Sequence, residues 1–330
     1  MTERDALHAA VCANPDDDTP RLVFADWLQE HDEEDRAEFI RVQIEATRLP
    51  VGKKRAAKEA RAKELLDAHE KEWAAPVQPF VAGHHSGTYA HHYRPPLVFR
   101  RGFVEVLSTD AELFCESAEE MFAAAPIREL RFDECDGFDD LAKCKHLLRV
   151  RALDLSDAVL SSDGSDAPAL FRSKYLKNLV SLTASGQCDN GHLDSRGLAA
   201  LAGTRHLVKL EKLDIGDNWM FVDAPPREST ACRKLLWRLG AKMPALRELR
   251  MAAMELRCGE LSAFTARPWV ARLRKLDLSG NQFGENGCHA LCMPNRMTAL
   301  EELDLRDNII ELPTATKREL KARFGKGVLL

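Results

Sequence analysis

The sequence predicts an α/β solenoid: a curved parallel sheet on the concave face, helices on the convex face, and a small N-terminal all-α cap. Three observations carry this expectation. One phrase recurs, reading Leu, two residues, Leu, one residue, an apolar residue, two residues, Asn. It is clearest over residues 273–281 and 300–308, with a third copy over 210–218. Its period is long. The markers Val104, Leu130, Leu153, Leu182, Leu213, Leu249, Leu276 and Leu303 stand 26, 23, 29, 31, 36, 27 and 27 residues apart, which leaves room for a strand and a whole helix in each unit. Between the phrases lie helical stretches such as 197–202 and 287–292. Parallel strands about 4.8 Å apart with wider helices behind them must curve.

The elements follow in order. Ala6, Leu7, Ala10 and Val11 recur at helical spacing until Asn14 and Pro15 break the chain. Thr19 is expected as an N-cap, with Pro20 at the first helical position where its missing N–H costs nothing. The helix that follows carries Leu22, Phe24, Trp27 and Leu28, apolar over most of its circumference. A solvated turn at 31–35 precedes a helix marked by Ala37, Ile40, Ile44 and Ala46. Residues 53–73 form a long alanine- and charge-rich helix, and 76–96 a loop with four histidines. This divides the chain into a helical domain (1–50), a charged helix and loop (51–96), and about eight repeats with a C-terminal cap (97–330). The cap comprises a helix from Thr316 to Phe324, stopped by Gly325, and a last strand at Val328, Leu329 and Leu330.

Within each phrase the alternation of a strand turns Leu276 and Leu278 inward and Asp277 outward. The terminal Asn is expected to satisfy backbone groups where the strand leaves the sheet, successive copies forming a ladder. Cys135, Ala158, Gln187 and Met254 hold that place in weaker units. Ala158 has no amide to offer.

Composition narrows the function classes. The 330 residues are 45% hydrophobic and 30% charged, with a formal net charge of −5, which argues against a nucleic-acid partner. Residues 1–50 hold 13 acidic against 5 basic side chains, and residues 51–102 hold 10 basic against 5 acidic. The start of the chain shows no apolar leader, and no apolar run of about 18 residues occurs, so neither secretion nor a membrane span is expected. Nine scattered cysteines read as reduced thiols of a cytoplasmic, monomeric protein.

Residues 97–330 resemble the leucine-rich-repeat proteins, the ribonuclease-inhibitor-like class in particular. The long period and the Gly287-x-x-Ala290-Leu291 pattern carry the likeness. It implies a protein-binding scaffold. The N-terminal run from Asn14 through Trp27 to His31, followed by residues 36–43, is similar to a short repeat-companion domain typical of planctomycete bacteria. That likeness implies a bacterial source and no established activity.

His84, His85, His91 and His92 are weak metal candidates, because no acidic or thiol ligand sits among them; no metal or cofactor is expected. Asp16, Asp17 and Asp18 lack the glycine and the twelfth-position Glu of a calcium loop and read as a turn. The basic residues from Lys53 to Lys63 are interleaved with Glu59, Glu64 and Asp67, as on a solvated helix. No phosphate-binding loop, dinucleotide fingerprint, nucleophile elbow or zincin motif occurs, so the chain reads as no enzyme. The concave column Glu105, Arg131, Asp154, Thr183, Asp214, Arg250, Asp277 and Asp304 is the expected face for a protein partner. Its carboxylates favour a basic surface, or else serve local hydrogen bonds. Trp219 and Phe221, on the insertion of the 36-residue unit, are candidate edge contacts. The alternatives are a regulator of an enzyme, such as a GTPase-activating surface built on Arg250 or Arg306, and a structural assembly protein.

Overall fold

Four helices open the chain: α1 (Glu3–Ala13), α2 (Thr19–Glu30), α3 (Glu34–Arg48) and α4 (Lys53–Ala74). The computed structural model describes residues 2–82, 95–132, 138–156, 158, 167–186, 193–218, 234–294, 296–308 and 312–330. It divides into two units, Met1–Arg131 and Phe132–Leu330. In the first unit α1 is closed by a capping box: the Thr2 hydroxyl accepts from Asp5 N at 3.2 Å, and Thr2 N donates to the Asp5 carboxylate at 2.8 Å. The expected Thr19 cap is displaced by one residue. Asp18 is the N-cap of α2, Thr19 is already helical, and its N–H donates to Asp17 Oδ1 at 2.8 Å. Helix α4 is a solvated helix as read, with Arg55–Glu59 (2.7 Å) and Lys63–Asp67 pairs along it.

Helices α1 to α3 share one core with Phe103. Val11, Phe24, Ala25, Leu28, Ala37, Ile40 and Ile44 pack with Phe103, which begins β2 (Phe103–Thr109). Strand β1 (Leu97–Arg100) pairs antiparallel with β2. The connecting residues Arg101 and Gly102 have φ of 50° and 87°, the positive values a tight hairpin needs. A Cβ at Gly102 would meet the Cγ1 of Ile40 at 2.3 Å, so close approach to α3 also requires glycine. Helix α5 (Ala111–Ala124), capped by Asp110 accepting from Leu113 N at 2.7 Å, leads to β3 (Glu129–Phe132).

The second unit repeats strand and helix. It contains α6 (Phe138–Lys143), β4 (Ala152–Asp154), α7 (Ala167–Phe171), β5 (Ser181–Thr183), α8 (Ser195–Gly203), β6 (Lys212–Asp214) and β7 (Glu248–Arg250). It continues with α9 (Cys258–Thr265), β8 (Lys275–Asp277), α10 (Glu285–Cys292), β9 (Glu302–Asp304), α11 (Thr314–Phe324) and β10 (Val328–Leu329). Strands β4 to β10 run parallel in chain order, and the markers align in one register: Leu153, Leu182, Leu213, Leu249, Leu276, Leu303, then Val328. Every marker residue named from the sequence lies in a strand, from Val104 in β2 to Leu303 in β9. This is a leucine-rich-repeat solenoid. Leu276 and Leu278 are buried and Asp277 is half-buried. Helix α11 ends at Gly325, φ 63°. No helix among the described residues is long and apolar enough to cross a membrane.

The strand exits share two devices. The residue before the phrase-ending position is left-handed in the last four repeats: Asp217, Ala253, Gly280 and Asp307 have φ of 57°, 50°, 65° and 59°. Gly and Asp suit that conformation; Ala253 is strained there. The asparagine then clamps its own repeat to the preceding one. Asn281 Nδ2 donates to Leu278 O and Met251 O, both at 2.9 Å, and its Oδ1 accepts from Met254 N (3.1 Å) and Leu256 N (3.0 Å). Asn218 does the same for Ile215 O, Ala184 O and Leu193 N. Asn308 does so for Leu305 O, Leu278 O and Phe283 N. The expected ladder therefore runs through backbone groups, each amide serving its N-terminal neighbour.

Candidate functional site

Three-residue strands leave only two positions per repeat on the sheet face opposite the helices, one on each side of the buried Leu. In the second unit these make two rows. The row after the Leu holds Asp154, Thr183, Asp214, Arg250, Asp277 and Asp304; the row before it holds Lys212, Glu248, Lys275 and Glu302. Between them a groove of ≈ 840 Å³ runs from β5 to β10.

Every aspartate in the first row first serves its own turn. Oδ1 of Asp154, Asp214, Asp277 and Asp304 accepts from the backbone N two residues on, at 3.0, 2.9, 2.9 and 3.0 Å. This is the Asx-turn geometry. It accounts for the recurrence of Asp at the position, as the plainer reading required.

Arg250 is the hub of the row. Its Nη1 donates to Asp217 Oδ2 at 2.8 Å and to Asp214 Oδ1 at 3.2 Å, and its Nε lies 3.2 Å from Asp277 Oδ2. Three repeats are thus tied through one guanidinium. Burial works against that charge, but the Asp214 and Asp217 carboxylates hold Arg250 above the ordinary arginine range. Asp214 goes the other way: burial pushes its carboxyl up, more than Arg250 and the Gly216 N–H lower it. Arg306 folds onto Asp304, with Nη2 at 2.5 Å from Oδ2, and this bond holds the Asp304 carboxyl below its usual range. Both arginines that an enzyme-regulating surface would need are engaged by carboxylates.

The second row alternates in sign. Lys212 Nζ lies 3.1 Å from Glu248 Oε2, and Lys275 Nζ lies 2.9 Å from Glu302 Oε1. These side chains are a third to three-fifths exposed. Their signal in the sequence is positional: they are the residues immediately before successive markers.

The predicted site residues are distributed unevenly. Asp214, Arg250 and Asp277 touch; Asp304 is the register neighbour of Asp277; Thr183 separates Asp154 from Asp214. Glu105 belongs to the first unit and is closed off. It is buried against Arg21 (2.8 Å), with Arg101 also at 2.8 Å. The sequence placed Glu105 in an accessible column, because nothing local shows that the chain from Pro15 to Arg21 comes back to β2. Pro15 O accepts from both Arg21 Nη2 (2.9 Å) and Arg101 Nη2 (2.8 Å), while Asp16 pairs with Arg128 at 2.5 Å and Asp18 with Arg48 at 2.7 Å. The acidic triplet is a structural clasp. Trp219, Phe221, His84, His85, His91 and His92 lie outside the described residues. Among the described residues, no three His, Cys, Asp or Glu side chains converge on a metal site.

A leucine-rich-repeat family model matches residues 273–292. No curated protein matches the chain. Among solved structures, a Bacteroides fragilis protein is similar at 14% identity and a TM-score of 0.43, over 62% of this chain and 65% of its own. An internalin from Listeria monocytogenes is similar at 16% identity and a TM-score of 0.32, over 61% of this chain and 53% of its own. TLR13, in its complex with ssRNA13, is similar at 21% identity and a TM-score of 0.36, over 64% of this chain and 26% of its own. The chain thus spans less than two thirds of each of these proteins. At TM-scores below 0.5 they add nothing to the fold read from strand register.

Proposed function

We propose that this chain is a non-catalytic protein-interaction scaffold, binding a partner protein through the sheet face of its repeats. The observation that carries the reading is the continuous groove across β5 to β10, walled by two rows of charged side chains that rigid register holds in place. Preorganised charges of this kind select partners and lose little entropy on binding. In this reading Asp214, Arg250, Asp277 and Asp304 form the interior of the contact, Asp154 its edge, and Trp219 and Phe221 a flanking contact. A monomer in the cytoplasm fits the same picture. Cys258, Cys288 and Cys292 are free cysteines, and burial pushes Cys288 up to about 12 and Cys292 up to about 11, which keeps the latter two as unreactive thiols.

Site-specific photo-crosslinking in extract of the native cell tests the proposal. A benzophenone residue at Thr183 or Lys275, on the groove, is expected to capture a protein that the same group at His289 on α10 does not. Capture should fall several-fold when Asp277 and Asp304 are both changed to Lys. Equal capture from both faces, or none from the groove, overturns the assignment.

A further inference from the structure

We propose that the groove receives an α-helix of the partner, lying across the strands and carrying side chains of alternating charge at i, i+3, i+7 and i+10. The inference rests on the scaffold reading and narrows it to one kind of partner.

Two dimensions on the face favour a helix. Strands β5 to β9 are each three residues long, which makes the floor about 10 Å wide, close to the diameter of a helix of roughly 10–12 Å. From β5 to β10 the groove crosses five strand spacings, about 24 Å, the length of a helix of about 16 residues. The charge row then sets the pattern. Lys212, Glu248, Lys275 and Glu302 occupy one register position on four adjacent strands, so their origins fall at about 0, 4.8, 9.6 and 14.4 Å along the groove. Helix positions i, i+3, i+7 and i+10 share a face and fall at about 0, 4.5, 10.5 and 15 Å. The two series stay within about 1 Å of each other. An extended segment crossing the strands has same-face side chains about 6.7 Å apart and loses step at the second residue.

Sign alternation excludes the simpler partners. A uniformly basic surface meets Lys212 and Lys275, and a uniformly acidic one meets Glu248 and Glu302. Only a partner whose charges alternate at the same interval satisfies all four. The resident pairs at 3.1 and 2.9 Å are surface pairs, worth little, and open readily to admit a third charge. Arg250 takes no part in the exchange, since its Nη1 and Nε are already committed to three carboxylates. It keeps the floor of the groove rigid beneath the row.

The test uses the full chain and fluorescein-labelled, alanine-based helical peptides of 18 residues, read by anisotropy at low ionic strength. One peptide carries Glu, Lys, Glu, Lys at i, i+3, i+7 and i+10. A second, of the same composition, carries Glu, Glu, Lys, Lys at those positions, and a third is the alternating peptide with a central proline. The alternating peptide is expected to bind about ten-fold tighter than the other two. The double variant Glu248→Lys, Lys275→Glu turns the row into two blocks and is expected to prefer the blocked peptide. Equal affinity for the first two peptides, or no binding of any, overturns the charge pattern. Undiminished binding of the proline peptide overturns the helix. Neither result touches the scaffold reading, which stands or falls with crosslinking at the groove.

Discussion

Asp214 and Asp304 hold the same register position three strands apart, with Arg250 and Asp277 on the two strands between them, yet their charges act on stability in opposite directions. Burial raises Asp214 from the ordinary carboxyl value even with Arg250 beside it, while the Arg306 hydrogen bond lowers Asp304. A raised folded value means that the ionised Asp214 costs stability at neutral pH, and the cost fades as pH falls through that value. A lowered folded value means that ionised Asp304 stabilises above about pH 4, and that this is lost as pH falls further. Asn in either place keeps the acceptor for the turn N–H. Asp214→Asn is therefore expected to hold or raise Tm at pH 7, and Asp304→Asn to lower it by roughly 1–2 °C. Both differences from the parent should shrink as the melts are taken towards pH 3. A lower Tm for Asp214→Asn at neutral pH would mean that the Arg250 pair outweighs its burial. The sequence showed both aspartates on one face, and even the Arg306 two residues after Asp304. It could not show the sign at Asp214, which depends on how deeply three neighbouring repeats enclose it.

At the scale of the element, the strand exits explain why some repeats are strict and others loose. Each asparagine satisfies the turn of the repeat before it, so the consequence of losing one appears upstream. Met254 takes the place of the amide that would serve the 213 repeat, and that repeat is the one carrying the long insertion. Strict phrases at 276 and 303 follow each other, and their asparagines bind in sequence. Asn281 is fully buried and has four backbone partners at 3.1 Å or closer; Asn308 is half-buried and has three. Asn281→Asp removes both N–H donors and sets a carboxylate against two carbonyls. It is expected to cost about 3–5 kcal/mol, more than Asn281→Ala at about 2–4, and Asn308→Asp should cost less than either. Urea denaturation of the three variants orders them; a cost for Asn308→Asp equal to that of Asn281→Asp would remove burial as the cause. The repeat register was readable because Leu, Asn and a fixed offset are all local. Strand β1 was not, because its hairpin turns on Arg101 at positive φ, a residue type that gives no turn signal, and its partner is reached by an antiparallel step outside the period.

At the scale of the molecule, the two units are held by different physics. The second is a register of leucines in which a strand meets only its neighbours. The first is closed by a long-range ion pair that no periodicity announces. Arg21 and Glu105 are 0% and 4% exposed; burial pulls the Arg21 guanidinium down to about 10 and pushes the Glu105 carboxyl up. Arg21 also donates to Pro15 O, Arg100 O and Arg101 O, so one side chain holds the 14–18 turn, the hairpin and β2 together. Arg21→Met keeps the volume and strands a buried carboxylate with Arg101 alone, at an expected cost of about 3–5 kcal/mol. Adding Glu105→Leu removes that orphan, and part of the loss should return, the remainder reflecting the hydrogen bonds that Arg100 O and Arg101 O lose, since Pro15 O keeps Arg101 as a donor. Hydrogen exchange locates the damage. In Arg21→Met, uptake should rise over residues 14–30 and 97–109 and stay at the parent level over 275–305. In a stacked repeat, stability is a sum of nearest-neighbour terms, and β8 and β9 pair with each other, with β7 and with β10. Matching increases across 275–305 would show instead that the chain unfolds as one cooperative body, and the nearest-neighbour account would then fail for the very strands whose sequence displays it most regularly.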